Sequence, residues 1–104
     1  MATAAFEALA NPVRRQLLEL LVDGPKTAGS LAGQIDLSRP AVSEHLQVLR
    51  RTQLVRDRAV GRQRYYELNP APLLEVRGWL QQFERYWEER FDALADVLDQ
   101  EESE

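Results

Sequence analysis

Residues 37–68, LSRPAVSEHLQVLRRTQLVRDRAVGRQRYYEL, constrain the fold more tightly than any other part of the chain. Ser38 is a good N-cap, and Pro40 lies in the first helical turn, where its missing N–H is tolerated. Val42, Leu46 and Leu49 then recur at i, i+4 and i+7, the buried face of a helix ending near Arg51-Thr52. Arg39, Ser43, Glu44, Gln47 and Arg50 fall on the other side. Residues 54–58 read as a strand, and Ala59-Val60-Gly61-Arg62 as a turn with Gly61 at positive φ. Gln63 to Leu68 returns, and one of Tyr65 and Tyr66 is expected on the core. The pattern is one helix followed by a two-stranded hairpin.

The flanking segments read as helices that position this unit. Residues 3–10 form a short helix with Phe6 and Leu9 on one face. Asn11-Pro12 starts a second over PVRRQLLELLVD, with Val13, Leu17, Leu20 and Leu21 inside and Arg14, Arg15 and Glu19 outside. Gly24 stops it. Thr27 caps a third, TAGSLAGQ, whose Gly29 and Gly33 suit a close approach between helices. After Asn69-Pro70-Ala71-Pro72 a fifth, long helix is expected over residues 72–100. Its apolar seam is Val76, Leu80, Phe83, Trp87, Phe91, Leu94 and Leu98, broadened by Trp79 and Tyr86, and Glu101–Glu104 make a frayed acidic end.

A chain of 104 residues is one domain's worth, residues 1–104, and has too little interior to bury that whole seam. The surplus predicts a two-fold dimer surface made by Phe6, Leu9, Val76, Leu80, Phe83, Trp87, Phe91 and Leu94. A small-molecule pocket near Trp79, Phe83 and Trp87 is the competing use of the same aromatics.

The absence of cysteine removes disulfides, thiolate metal sites and cysteine nucleophiles from these residues, and a lone His45 leaves no imidazole cluster. His45 reads as a packed, hydrogen-bonded residue rather than a sensor. Glu84, Glu88 and Asp92 share a helix face but read as solvated. No phosphate-cradling loop stands in the chain, so no cofactor and no enzyme activity are expected. The start lacks a signal segment, and no stretch approaches the roughly 20 apolar residues of a membrane span, so a cytoplasmic protein is expected.

The formal net charge of −4 suits a polyanion binder only once it is divided. Residues 38–66 hold seven arginines against Glu44 and Asp57, a balance of +5, while residues 1–37 come to −1 and residues 67–104 to −8. Screening over about 8–10 Å lets the basic segment act locally. The plainer reading is that the segments offset one another on a mixed surface. Two helices joined by a tight turn, then a hairpin, place the second helix in a DNA groove. Ser38, Arg39, Pro40, Ser43, Glu44 and Gln47 are the candidate contacts on that helix: arginine pairs with guanine, glutamine with adenine, glutamate with cytosine. Arg56, Arg58, Arg62 and Arg64 form one basic ridge on the hairpin if the turn keeps their register, to clamp phosphates or enter the minor groove. Edge-strand protection by charge is the plainer use of the same arginines.

FEALANPVRRQLLELL, LSRPAVSEHLQVLRRTQLV and the arginine-rich hairpin ending YYEL make the chain resemble the ArsR-type winged helix-turn-helix repressors of bacteria and archaea, over residues 4 to about 98. GWLQQFERYWEERFDAL is similar to the end of a non-metal-sensing subgroup, often encoded beside a small lipid- or ligand-binding-type protein. The resemblance implies a mainly α fold of five helices with a small β-hairpin: a helix-turn-helix over 27–52, a wing over 54–68 and a dimerisation helix over 72–100. It also implies a homodimer joined through its first and last helices, bound to a pseudo-palindromic operator in double-stranded DNA, with base and phosphate contacts from Ser38, Arg39, Pro40, Ser43 and Glu44. The metal-sensing role does not carry over, and the effector is left unknown. Thr52-Gln53-Leu54-Val55 stands where the family uses Ala-Gly-Leu-Val, so a differently shaped helix end is expected. A winged-helix module that binds another protein is the alternative to DNA binding.

Overall fold

The computed structural model describes residues 3–102. Its elements are α1 (Thr3–Leu9), α2 (Pro12–Leu20) followed by a 3-10 turn (Leu21–Asp23), β1 (Lys26–Thr27), α3 (Ala28–Ile35), α4 (Arg39–Arg51), β2 (Val55–Val60), β3 (Gln63–Leu68), α5 (Pro70–Gln81) and α6 (Glu84–Glu102). The three strands form one antiparallel sheet in the order β1-β3-β2. Ser103 and Glu104, at the tip of the expected frayed end, lie outside the described residues.

The caps read from sequence act as caps. The Asn11 side chain accepts from the Val13 and Arg14 amides at 2.9 and 3.1 Å, Thr27 Oγ1 from Ser30 at 3.1 Å, and Ser38 Oγ from Ala41 at 3.3 Å. Each satisfies a backbone donor that the helix itself leaves free. Leu17, Leu31, Val42, Leu46, Leu49 and Leu54 are fully buried, so α2, α3 and α4 share one core. Each such leucine contributes about 1.5–3 kcal/mol of burial. Tyr66, not Tyr65, packs on that core.

Several expectations need correction. Arg14 and Arg15 do not simply point outward: Arg14 Nε donates to the Ala8 carbonyl at 2.8 Å and Arg15 Nη1 to that of Leu9 at 2.7 Å. They hold the last carbonyls of α1, where positive charge is favoured. Gly29 and Gly33 have open space around them, so close packing is not their reason. The hairpin gains a third strand, because the short β1 pairs with β3 at Lys26–Tyr66 and Thr27–Tyr65.

Among the described residues the α-helices number six, not five, because the expected helix over 72–100 starts at Pro70 and is broken after Gln81. The Gln82 side-chain Nε2 donates to the Trp79 carbonyl at 2.8 Å, and the Phe83 N–H bonds back only three residues, to Leu80. A side chain thus takes the acceptor that the α-helical ladder reserves for residue 83.

Among the described side chains of α6 none is buried. The helix stands away from the body: the radius of gyration is 18.8 Å, against about 13 Å for a compact domain of this length. The accessible surface, 7707 Å², exceeds the about 6000 Å² expected of a compact monomer of this size.

Candidate nucleic-acid interface

The tight link Asp36–Ser38 sets α4 across α3. Asp36 takes a left-handed conformation, φ +53°, and the Leu37 amide bonds back to the Ala32 carbonyl at 3.3 Å, closing α3 within one residue. With Val42, Leu46 and Leu49 facing the core, the other side of α4 is turned outward. Ser38, Arg39, Pro40, Glu44 and Gln47 are exposed, and Ser43 is half-buried. Arg39, Ser43 and Gln47 recur every four residues and so form one stripe.

That stripe borders a shallow basin of about 430 Å³, lined by Arg39 and Ser43 of α4, by Arg62, Gln63 and Arg64 of the hairpin, and by the start of α3. Cations from two elements thus meet at the first turns of one exposed helix.

The hairpin register overturns the single basic ridge. Val60 pairs with Gln63, so Gly61-Arg62 alone make the turn, with Gly61 at φ +62°. Ala59 and Val60 belong to the strand rather than to the turn. A turn with an even number of residues pairs even positions with odd ones. Arg56 lies opposite Glu67 and Arg58 opposite Tyr65, on one face, while Arg64 lies opposite Ala59 on the other. Arg62 sits at the tip. The four arginines therefore point three ways.

Arg64 is tied to a residue that sequence reasoning counted only as an offsetting charge. Its Nη1 is 2.6 Å from Asp57 Oδ2, and Arg50 Nε is 3.1 Å from Asp57 Oδ1. The one signal available was an acid inside a strand otherwise marked by arginines.

Beyond the basic face, the predicted dimer residues separate into two groups. Leu9 and Val76 pack against the core of their own chain, and Phe83 is half-buried. Phe6 meets Trp79 edge-on at 5.2 Å, and Trp79 meets Phe83 at 5.0 Å, so α1 rests on α5 through rings that fill one another's space. Leu80, Trp87, Phe91 and Leu94 are exposed, Phe91 at 63%. His45 is half-buried as expected, but its side chain makes no hydrogen bond among the described residues, so the expected bond is not there. Among the described residues no three His, Asp or Glu side chains gather as a metal site needs, and no helix is long and apolar enough to cross a membrane.

A tight two-helix unit, an exposed capped helix and an adjoining antiparallel hairpin define a winged helix-turn-helix regulator of transcription that binds DNA. The model of a helix-turn-helix domain family matches residues 9–58. The HTH-type transcriptional regulator Rv2034 of Mycobacterium tuberculosis is 41% identical over 97 residues, 93% of this chain and 88% of that protein. The transcriptional repressor SdpR of Bacillus subtilis is 36% identical, over 75% of this chain and 87% of that one. An ArsR-like transcriptional regulator from Rhodococcus sp. RHA1 superposes with a TM-score of 0.71 at 29% identity, covering 92% of this chain and 91% of that one. The chain belongs to the ArsR family of winged helix-turn-helix transcriptional regulators.

Proposed function

We propose that the protein is a homodimeric repressor that occupies a pseudo-palindromic operator, reading it with α4 and gripping it with the wing. The basin that gathers Arg39 and Ser43 with Arg62 and Arg64 carries this reading, because it sets base-reading and phosphate-binding groups side by side. Ser38, Pro40, Glu44 and Gln47 complete the reading surface, with Arg56, Arg58 and Arg62 as wing contacts. The helix-turn-helix then spans 27–52 and the wing 54–68 of one domain, residues 1–104.

The dimer reading is supported by α6, an amphipathic helix about 28 Å long with no cover of its own. Most of a protein helix's stability comes from packing of its apolar face, so a covered seam of Trp87, Phe91, Leu94 and Leu98 accounts for α6. A two-fold dimer that reads half-sites one helical turn of DNA apart needs its two copies of α4 about 34 Å from each other. The regulator works in the cytoplasm without a cofactor. Its effector, if it takes one, is not a metal, since these residues hold no thiolate and a single imidazole.

Selection of bound sequences from a random duplex pool tests the reading. Two inverted half-sites one helical turn apart are expected. A pool that enriches nothing, while the protein is folded and dimeric, overturns sequence-specific binding.

A further inference from the structure

Asp57 stands where a carboxylate should hinder the binding of a polyanion, yet it is a well-enclosed charge of the wing. Its side chain is 7% exposed, with one oxygen on Arg50 Nε and the other on Arg64 Nη1. Both arginines keep about half of their surface, 55% and 53%, so each guanidinium is held at one nitrogen and presents the rest outward. The trio spans three elements: the last turn of α4, the middle of β2 and the start of β3. Arg64 also lines the basin beside Arg39 and Ser43.

We propose that Asp57 is a positioning residue for DNA contact, its carboxylate holding the Arg64 guanidinium at the basin and the wing against the end of α4; this rests on the DNA-binding reading above. The ligand for the oriented guanidinium is a backbone phosphate of the duplex. An arginine ordered in advance loses less side-chain freedom when it contacts a phosphate, and its planar fork keeps the direction it is given. Arg64 thus differs from Arg56 and Arg58, which no carboxylate holds in the ion pairs of the described residues.

The sign of one measurement separates this role from plain charge. Removing a carboxylate from a basic face strengthens attraction for any DNA. Loss of positioning weakens operator binding. Asp57→Asn is expected to lower affinity about tenfold for the selected operator and for scrambled DNA alike, because both duplexes offer the backbone phosphate. In an Arg64→Ala background the same change should produce little further loss, because the two residues act as a unit. Asp57→Glu, which keeps the charge and shifts it by one methylene, should recover part of the loss. Circular dichroism and thermal melting accompany each variant, and the comparison within the Arg64→Ala background holds even where Asp57→Asn alone melts early. Unchanged or tighter operator binding by Asp57→Asn overturns the proposal, as does an equal loss in both backgrounds. Failure of the unsubstituted protein to prefer its operator strikes the DNA-binding reading instead.

Discussion

The side-chain amide of Asn69 donates to the backbone carbonyl of Gln53 over 2.8 Å, and the Asn69 backbone amide donates to Leu54 over 3.0 Å. One residue thereby pins the start of α5 to the exit of α4. Asn69 stands at the N-cap position of α5 but caps nothing with its side chain, which is spent on this link instead. Asn69→Ala is expected to cost about 1 kcal/mol, read as a lower urea midpoint at fixed protein concentration. An unchanged midpoint would mean that the link contributes nothing.

Gln53 itself ends α4 in the left-handed conformation, φ +63°. Its amide bonds to Arg50 and that of Leu54 to Leu49, the paired bonds of a Schellman end. Glutamine here adopts the conformation that glycine holds at no steric penalty. Gln53→Gly should therefore gain roughly 0.5 kcal/mol, the relief of left-handed strain less the added freedom of the unfolded chain. Gln53→Val, β-branched, should lose about 1–2 kcal/mol. Opposite shifts in melting temperature check the pair.

Gly33 lies exposed within α3, and a Cβ there meets nothing. Gly33→Ala is expected to stabilise by about 0.5–1 kcal/mol through helix propensity and reduced unfolded-state freedom. A melting temperature that falls instead would show that this surface packs on something when the protein is assembled.

Much of this fold is legible from residues that act locally. Ser38, Thr27 and Asn11 cap helices through bonds that span two or three residues, and Val42, Leu46 and Leu49 declare a buried face by spacing alone. What escaped depends on distant partners or on parity. Two residues cannot show a strand's alternation, so Lys26-Thr27 becomes β1 only by meeting β3. The faces of Arg56, Arg58 and Arg64 follow from the number of turn residues, which Gly61 locates but does not count. The break at Gln82 hangs on one side chain taking a carbonyl that an unbroken helix would use. Asp57 shows its role only once Arg50 and Arg64 are seen on either side of it.

The exposed seam of α6 predicts that assembly and DNA binding fail together. Phe91 is 63% exposed in the single chain and stacks beside Trp87, ring centroids 6.2 Å apart. A two-fold interface covers it twice, so the loss of both phenylalanines removes about 3–6 kcal/mol of burial. Phe91→Glu also adds a charge to the covered seam. Sedimentation should show a monomer at micromolar concentration, with operator affinity reduced at least a hundredfold. A dimer that persists would move the interface away from α6.

Arg39 and Arg62 separate reading from grip. Arg39 stands on the exposed stripe of the first turn of α4, whereas Arg62 sits at the wing tip next to Gly61. Arg39→Ala should weaken operator binding by about 1–3 kcal/mol and relax preference at one position of each half-site, while leaving scrambled DNA less affected. Arg62→Ala should weaken binding to all sequences and reduce the slope of log affinity against log salt by about one for each subunit engaged. Mobility shifts over a salt series, with operator and scrambled duplexes, distinguish the two. Equal losses on both DNAs for Arg39→Ala would make it another phosphate contact and leave Ser43, Glu44 and Gln47 to read the bases.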